Sequence, residues 1–451
     1  MIELSSRRRR IQAASQATID RLGRHINERG RLCIIRAPPG SGKTYTLLEA
    51  LRKAAEQSIR VAVAAQTNAQ CDDICRRFVN HCPEARVWRF ASPSATMPDD
   101  LDPRITWFTA THEIPVHSAI VVATAAKWST VGAFEAFDFL LVDEAWQLAW
   151  ADFMLLGVVS ERFVLIGDPG QIAPVVSIPV ERWETSPRAP HRPAPDLILA
   201  DASIDKLSLE LDACRRLPAD SVDLVRPFYD FEFEAWADEA ERFVRPTLAG
   251  GHELDAVLDQ LSSASCSSIA VPTPSGGPPL ELDEEIAGIA ARVAVRALER
   301  ECEAASDDTG EPTRLQPQDI GITATHRVVN SAILASLPAA YRNQDTGIRV
   351  DTPERWQGLE RKLMVVVHPL SGVVHPSVFD LETGRLCVMA SRHRSGMVIV
   401  SRDHVPDTLR SYIPWAEQAV GRPDAAGRGH HQHMQLWQTL ENRDLVSQLS
   451  R

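Results

Sequence analysis

Between an apolar run, Leu32-Cys33-Ile34-Ile35, and a helical pattern through Leu47, Leu48 and Leu51 lies the octet Ala37-Pro38-Pro39-Gly40-Ser41-Gly42-Lys43-Thr44. A short buried strand, a glycine turn and a helix opening on Lys-Thr form the context that a phosphate-binding loop requires. Gly40 and Gly42 let backbone N–H groups turn inward around phosphate oxygens, and the helix N-terminus adds the positive end of its dipole. Lys43 supplies a point charge, and the Thr44 hydroxyl suits one Mg²⁺ coordination position. Ala37 stands where the first glycine of such a loop is usual. A nucleotide is the expected ligand, cradled by Gly40, Ser41, Gly42, Lys43 and Thr44.

The 451 residues suffice for two or three domains with sizeable cores. Hydrophobic residues at 44% and charged residues at 24% give an ordinary globular balance. No apolar run reaches the roughly 18 residues of a membrane span. Arg7 to Arg10 precede no apolar segment, so no secretory signal is expected, and the cytoplasm is the expected compartment. The eight cysteines are then expected as reduced thiols. Cys71, Cys75, His81 and Cys82 lack the spacing of a zinc site. A net charge of −12 argues against coating nucleic acid through bulk positive charge, while leaving room for a local basic track. Arg7 to Arg10 read as a solvated tail.

After the first helix (residues 11 to 28, with Gln16 on it) and the phosphate loop, apolar strands recur at helix-length spacing. They are Val61 to Ala65, Arg86 to Phe90, Ala119 to Thr124, Phe137 to Glu144 and Phe163 to Asp168. Each ends in polar residues, the pattern of a parallel doubly wound sheet whose ligands bind at the C-terminal strand edge. Residues 91 to 116 read as a loop. Prolines crowd 179 to 196, which places a boundary there: a first domain over 1–195, a second α/β domain over 196–420, and a polar C-terminal tail with a short helix over 421–451. In the second domain a long helix is expected from Asp283 to about Glu303, with strands at Ser268 to Val271, Ile320 to Thr323, Leu363 to Val367 and Met397 to Val400.

Asp143-Glu144, at the end of an apolar strand, is the natural second half of a phosphate-loop site: Asp143 to hold Mg²⁺ with Thr44, Glu144 to polarise an attacking water. On the next strand comes Gly167-Asp168-Pro169-Gly170-Gln171. This run resembles the γ-phosphate sensor of superfamily 1 helicases. Asp143-Glu144-Ala145-Trp146-Gln147 is similar to motif II of the branch that includes the nonsense-mediated-decay helicase, and Gln16 matches its upstream adenine-reading glutamine.

Further matches follow in order. Cys214-Arg215-Arg216-Leu217-Pro218 resembles the segment whose arginine, here Arg215, reaches the γ-phosphate; Cys214 replaces the aromatic residue that stacks on the base. Thr352 to Glu360 resembles motif V, with Gln357-Gly358 near the phosphates and Glu360 near the ribose. Cys387 to Arg394 resembles motif VI, with Arg392 as the arginine finger. Residues 320 to 327 resemble motif IV weakly, leaving Thr323, Thr325 and Arg327 as undivided candidates.

The resemblance implies two RecA-like doubly wound domains in tandem, with ATP and Mg²⁺ between them. It implies a motor on single-stranded DNA or RNA, with Lys43, Glu144, Gln171, Arg215 and Arg392 as catalytic residues and Thr67, Asn68, Thr124 and Thr352 on the strand. Trp128, Trp183 and Trp356 are candidates for base stacking. Related motors carry extra domains at two points where this chain has only residues 91–116 and 330–349. Rival readings are a nucleotide-driven switch that regulates a partner such as a nuclease, and an NTPase or kinase acting on a small molecule. No membrane partner is expected.

Overall fold

In a computed structural model, residues 5–117, 119–175, 179–183, 185–277, 282–309, 311–343, 345–414 and 425–449 are described. The chain divides into two compact units: one runs to Pro169 and again over Ala173–Ala213; the other takes Gly170–Ile172 and the chain from Cys214 onward. Among the described residues no helix is long and apolar enough to cross a membrane.

The first unit is built on β1 (Leu32–Arg36), β2 (Val61–Ala65), β3 (Val87–Phe90), β4 (Ile105–Phe108), β5 (Ile120–Thr124), β6 (Phe139–Val142), β7 (Phe163–Gly167) and β8 (Leu207–Glu210). They form one sheet in the order β4-β3-β5-β2-β6-β7-β1-β8, and every pairing is parallel. Val61 to Ala65 and Cys33 to Ile35 are almost wholly shielded from solvent because both sheet faces are covered, which is why these strands read as unbroken apolar runs. The helices of this unit are α1 (Ser6–Asn27), α2 (Lys43–Glu56), α3 (Asn68–His81), α4 (Ala125–Trp128), α5 (Trp150–Leu155) and α6 (Ala194–Ala200).

Several expectations change here. Residues 91–116 are not all loop: Ile105–Phe108 adds the edge strand β4, too short and too exposed at Thr106 to show a buried-strand pattern. The first unit does not stop at Pro195. That proline lies in the first turn of α6, and β8 beyond it pairs with β1, so the sheet is complete only after Glu210. Arg7 to Arg10 lie within α1, which Ser5 caps through the Arg8 amide, and Arg8 is buried.

The second unit opens with β9 (Ala213–Cys214), which pairs with β10 (Glu234–Ala235). Then come β11 (Phe243–Arg245), β12 (Cys266–Val271), β13 (Glu303–Ala305), β14 (Thr313–Arg314), β15 (Ile320–Thr323), β16 (Arg349–Asp351), β17 (Arg361–Val367), β18 (His393–Arg402) and β19 (Val446–Gln448). The large sheet is parallel, in the order β16-β15-β17-β18-β12-β19; β11, β13 and β14 form a small antiparallel one. Its helices are α7 (Ala219–Val225), α8 (Asp255–Gln260), α9 (Glu284–Glu299), α10 (Arg327–Ser336), α11 (Pro353–Trp356), α12 (Thr383–Ala390), α13 (Val405–Ser411) and α14 (Ala425–Asn442). Both units are thus RecA-like doubly wound α/β layers.

The expected boundary at residue 420 lies outside the described residues, but the tail beyond it is part of this unit. α14 buries Leu436, Trp437 and Leu440 in a core shared with Leu386 and Met389 of α12, and β19 pairs with β12. His433, within the stretch expected as a polar tail, is fully buried against His368.

Candidate functional site

The phosphate loop leaves β1 with the Ala37 amide donating to the Gly167 carbonyl at 2.9 Å, and Ala37 is fully buried. Gly40 and Gly42 take φ of 65° and 92°, left-handed values that glycine adopts without a Cβ penalty. Gly42 caps α2. Ser41 is buried, and its Oγ has no hydrogen-bond partner among the described residues. Lys43 begins α2, and its Nζ donates to both Glu144 carboxylate oxygens at 2.9 and 2.8 Å across 101 residues of sequence.

The acid pair sits at the C-terminal end of β6, where the Asp143 amide still donates to Ala64 of β2. Glu144 then turns to φ 50°, with its amide donating to Asp143 Oδ1 at 3.0 Å. A non-glycine residue in that conformation stores strain of the kind found where side chains must be aimed. Gly167 on neighbouring β7 is required by packing: a Cβ there would stand 2.9 Å from the Ala145 amide nitrogen. Burial, with Glu144 alongside, pushes the Asp143 carboxyl up to about 7 despite the nearby Lys43. Gln171 is buried and lies in the Gly170–Ile172 segment that clusters with the second unit.

In the second unit Glu360 is the centre of a charge cluster. It accepts from Arg216 Nε at 2.6 Å and from Arg394 Nη1 at 2.8 Å. Burial pushes its pKa upward, but the two guanidiniums outweigh burial and hold it below the usual carboxylate range. The β17–β18 pairing brings these groups together, since the Arg361 amide donates to the Arg392 carbonyl. Arg392 itself is buried, with Nε donating to Val388 at 3.3 Å. Gly358 has φ 78°. Arg215 lies with its guanidinium 4.0 Å over the Trp236 ring. Cys214 is fully buried.

Sequence reasoning missed Arg216 as the partner of Glu360. It also missed Arg242, whose Nη1 donates to the carbonyls of Arg215 (2.7 Å) and Arg216 (2.5 Å). Asp308 holds this arrangement by accepting from Arg242 at 3.0 Å and from Trp236 Nε1 at 2.9 Å. The doubled arginine of 215–216 was the only local signal.

The strand candidates all stand at strand ends, and most have structural work there. Thr67 closes a capping box with Gln70 at the start of α3, Thr124 caps α4 through the Lys127 amide, and Thr352 precedes α11. Asn68 is exposed and accepts from buried Arg89 at 2.7 Å. Gln16 is exposed on α1 and donates to Asp20 on its own helix. Of the tryptophans named for stacking, Trp128 and Trp356 are fully buried and bonded to the Val63 and Ile322 carbonyls, so they are core. Trp183 remains 37% exposed.

The first-unit residues fit a magnesium-bound nucleoside triphosphate. Ser41 offers an unsatisfied buried hydroxyl, and the costly Asp143 carboxylate, with the Thr44 hydroxyl, is the hard-oxygen donor set that Mg²⁺ takes alongside phosphate oxygens. Among the described residues no group of three or more His, Cys, Asp or Glu is placed to hold a metal without such help.

Residues 11–118 match the family model of an AAA domain, AAA_11. Over 432 residues the chain is 24% identical to the Danio rerio protein named as helicase mov-10-B.2, an alignment covering 85% of this chain and 40% of that protein. The chain therefore spans about two fifths of that relative's length. Among solved structures it is similar to the arterivirus nonstructural protein 10 helicase (16% identity, 87% of this chain and 63% of that one, TM-score 0.42). It is also similar to the DUF1998 helicase MrfA bound to DNA (11% identity, 89% and 53%, TM-score 0.43). The motifs in order and these sequence matches support a relationship to the superfamily 1 helicases, and to the branch that includes the nonsense-mediated-decay and mov-10 helicases.

Proposed function

We propose that this chain is an ATP-dependent motor on single-stranded nucleic acid. The observation that carries the reading is the Lys43–Glu144 pair beside Asp143, which joins the phosphate loop to the acid pair with salt-bridge distances of 2.8–2.9 Å. Lys43 and the loop amides bind the β- and γ-phosphates, and an entering phosphate exchanges one anionic partner of Lys43 for another. Glu144, so released, orients the attacking water and accepts its proton, with Gln171 as a second orienting group. Thr44 and Asp143 would hold Mg²⁺, which neutralises phosphate charge when bound. Arg392 and Arg215 stabilise charge on the transferring phosphoryl group. Gln16, Gly358 and Glu360 contact the rest of the nucleotide, and Thr67, Asn68, Thr124 and Thr352 contact the strand's backbone.

The test is ATP turnover with and without single-stranded oligonucleotide. Stimulation by the strand is expected, and Lys43→Ala should abolish turnover with or without it. Turnover by that variant at even a tenth of the wild-type rate would overturn the site assignment. Wild-type turnover that ignores nucleic acid would favour a switch or a small-molecule enzyme instead.

A further inference from the structure

His326, between the C-terminal end of β15 and the start of α10, is exposed. Its imidazole lies on the Phe379 ring with centroids 5.3 Å apart and planes 30° from parallel. Phe379 nevertheless remains 43% exposed. The Arg385 guanidinium packs over the same phenyl ring at 4.0 Å and is itself pinned, donating to Glu354 at 2.8 Å and to the Phe379 carbonyl at 3.3 Å. Glu354 belongs to α11, whose N-cap residue is Thr352. A continuous set of contacts therefore runs from α11, which follows the strand candidate Thr352, through Glu354 and Arg385 to a pair of stacked, solvent-facing rings. Arg327, next to His326, is exposed.

Rings held this way lose little rotamer freedom when a flat ligand lands on them. We propose that His326 and Phe379 form a base-stacking platform for single-stranded nucleic acid, with Arg327 on the adjoining phosphate. The proposal rests on the strand-binding reading above and adds a contact to the bases. Its occupant is an unpaired base because the rings connect to α11, which begins directly after Thr352, and because a cation, Arg327, stands beside them in sequence. Every base has a π-face, so such a platform grips without reading sequence. It also takes the role that the buried Trp128 and Trp356 cannot fill.

Fluorescence anisotropy with a labelled single strand, over a series of salt concentrations, tests this. His326→Ala should weaken binding by roughly five- to hundredfold, the range for loss of one stacked base. The slope of log Kd against log salt should not change, since no phosphate contact is removed. His326→Phe should restore affinity, and on an abasic strand the wild type and His326→Ala should bind alike. Intact strand binding by His326→Ala overturns this proposal alone, and is the outcome expected if the rings serve a protein partner. An equal loss on the abasic strand also overturns it. A wild type that binds no strand at low salt takes down the strand-binding reading and this one together.

Discussion

A carboxyl that burial pushes up to about 7 weakens the fold wherever it is ionised, and Asp143 is such a group. Its folded pKa lies above the ordinary 3.8, so between about 4 and 7 the folded chain holds a proton that the unfolded chain has shed. The stability it contributes is complete below about 4 and is lost as pH climbs through 7. Asp143→Asn keeps an oxygen to accept the Glu144 amide and removes the charge. It should raise the melting temperature at pH 8 by roughly 2 °C or more, raise it clearly less at pH 5, and lose turnover. Mg²⁺ should stabilise the wild type at pH 8 and not the variant. Melts at the two pH values, with and without Mg²⁺, check this; a more stable wild type at pH 8 without the ion would show that the burial cost is met elsewhere. At this scale the phosphate loop and acid pair were legible because each is a short run whose chemistry is local. Arg242, Trp236 and Asp308 were not, since nothing in their own neighbourhoods marks three residues that meet around Arg215 only after folding.

Elements were legible where an apolar run is long and buried on both faces, as in β1, β2 and β17, and illegible where pairing rather than burial makes the strand. β4 and β8 each have four residues, with exposed positions among them, and only the ladder reveals them. α14 shows a different limit. A short helix in a polar tail was readable, and only the packing shows Gln432 and His433 buried beside Trp437. Because Trp437 fills a core position at 2% exposure, Trp437→Ala should cost about 3–5 kcal/mol. Limited proteolysis should then cut the second unit well before the first; unchanged protection would mean that α14 is merely appended. The same region should weaken in acid. Burial holds His433 down to about 3 and His368 well below its usual value, so both stay neutral in the folded chain. Their contribution is whole above about 6.5 and is lost as pH falls toward 3.

For the whole molecule, the question is what two RecA-like units of this size can do to a duplex. Related motors insert extra domains between the second strand's helix and the acid-pair strand, or ahead of motif V. Here the first interval, 91–116, holds the edge strand β4 and its connections, and the second, 330–349, holds the rest of α10 and the turn into β16. Neither interval is long enough for an independent core. A net charge of −12 offers no general grip on phosphate to replace the missing surface. Binding that relies on a few backbone contacts and one stacked base should weaken steeply with salt, and little of it can oppose the reannealing of a separated strand. This polypeptide alone should therefore hydrolyse ATP on single strands but separate only short duplexes, with processive work left to a partner protein or a second copy. A strand-displacement assay with the purified chain, on duplexes of increasing length at fixed low salt, decides it. Yield should fall sharply as the duplex lengthens while strand-stimulated turnover stays constant. Efficient separation of long duplexes would mean that the two units by themselves supply the splitting surface, and that the intervals 91–116 and 330–349 are where to look for it.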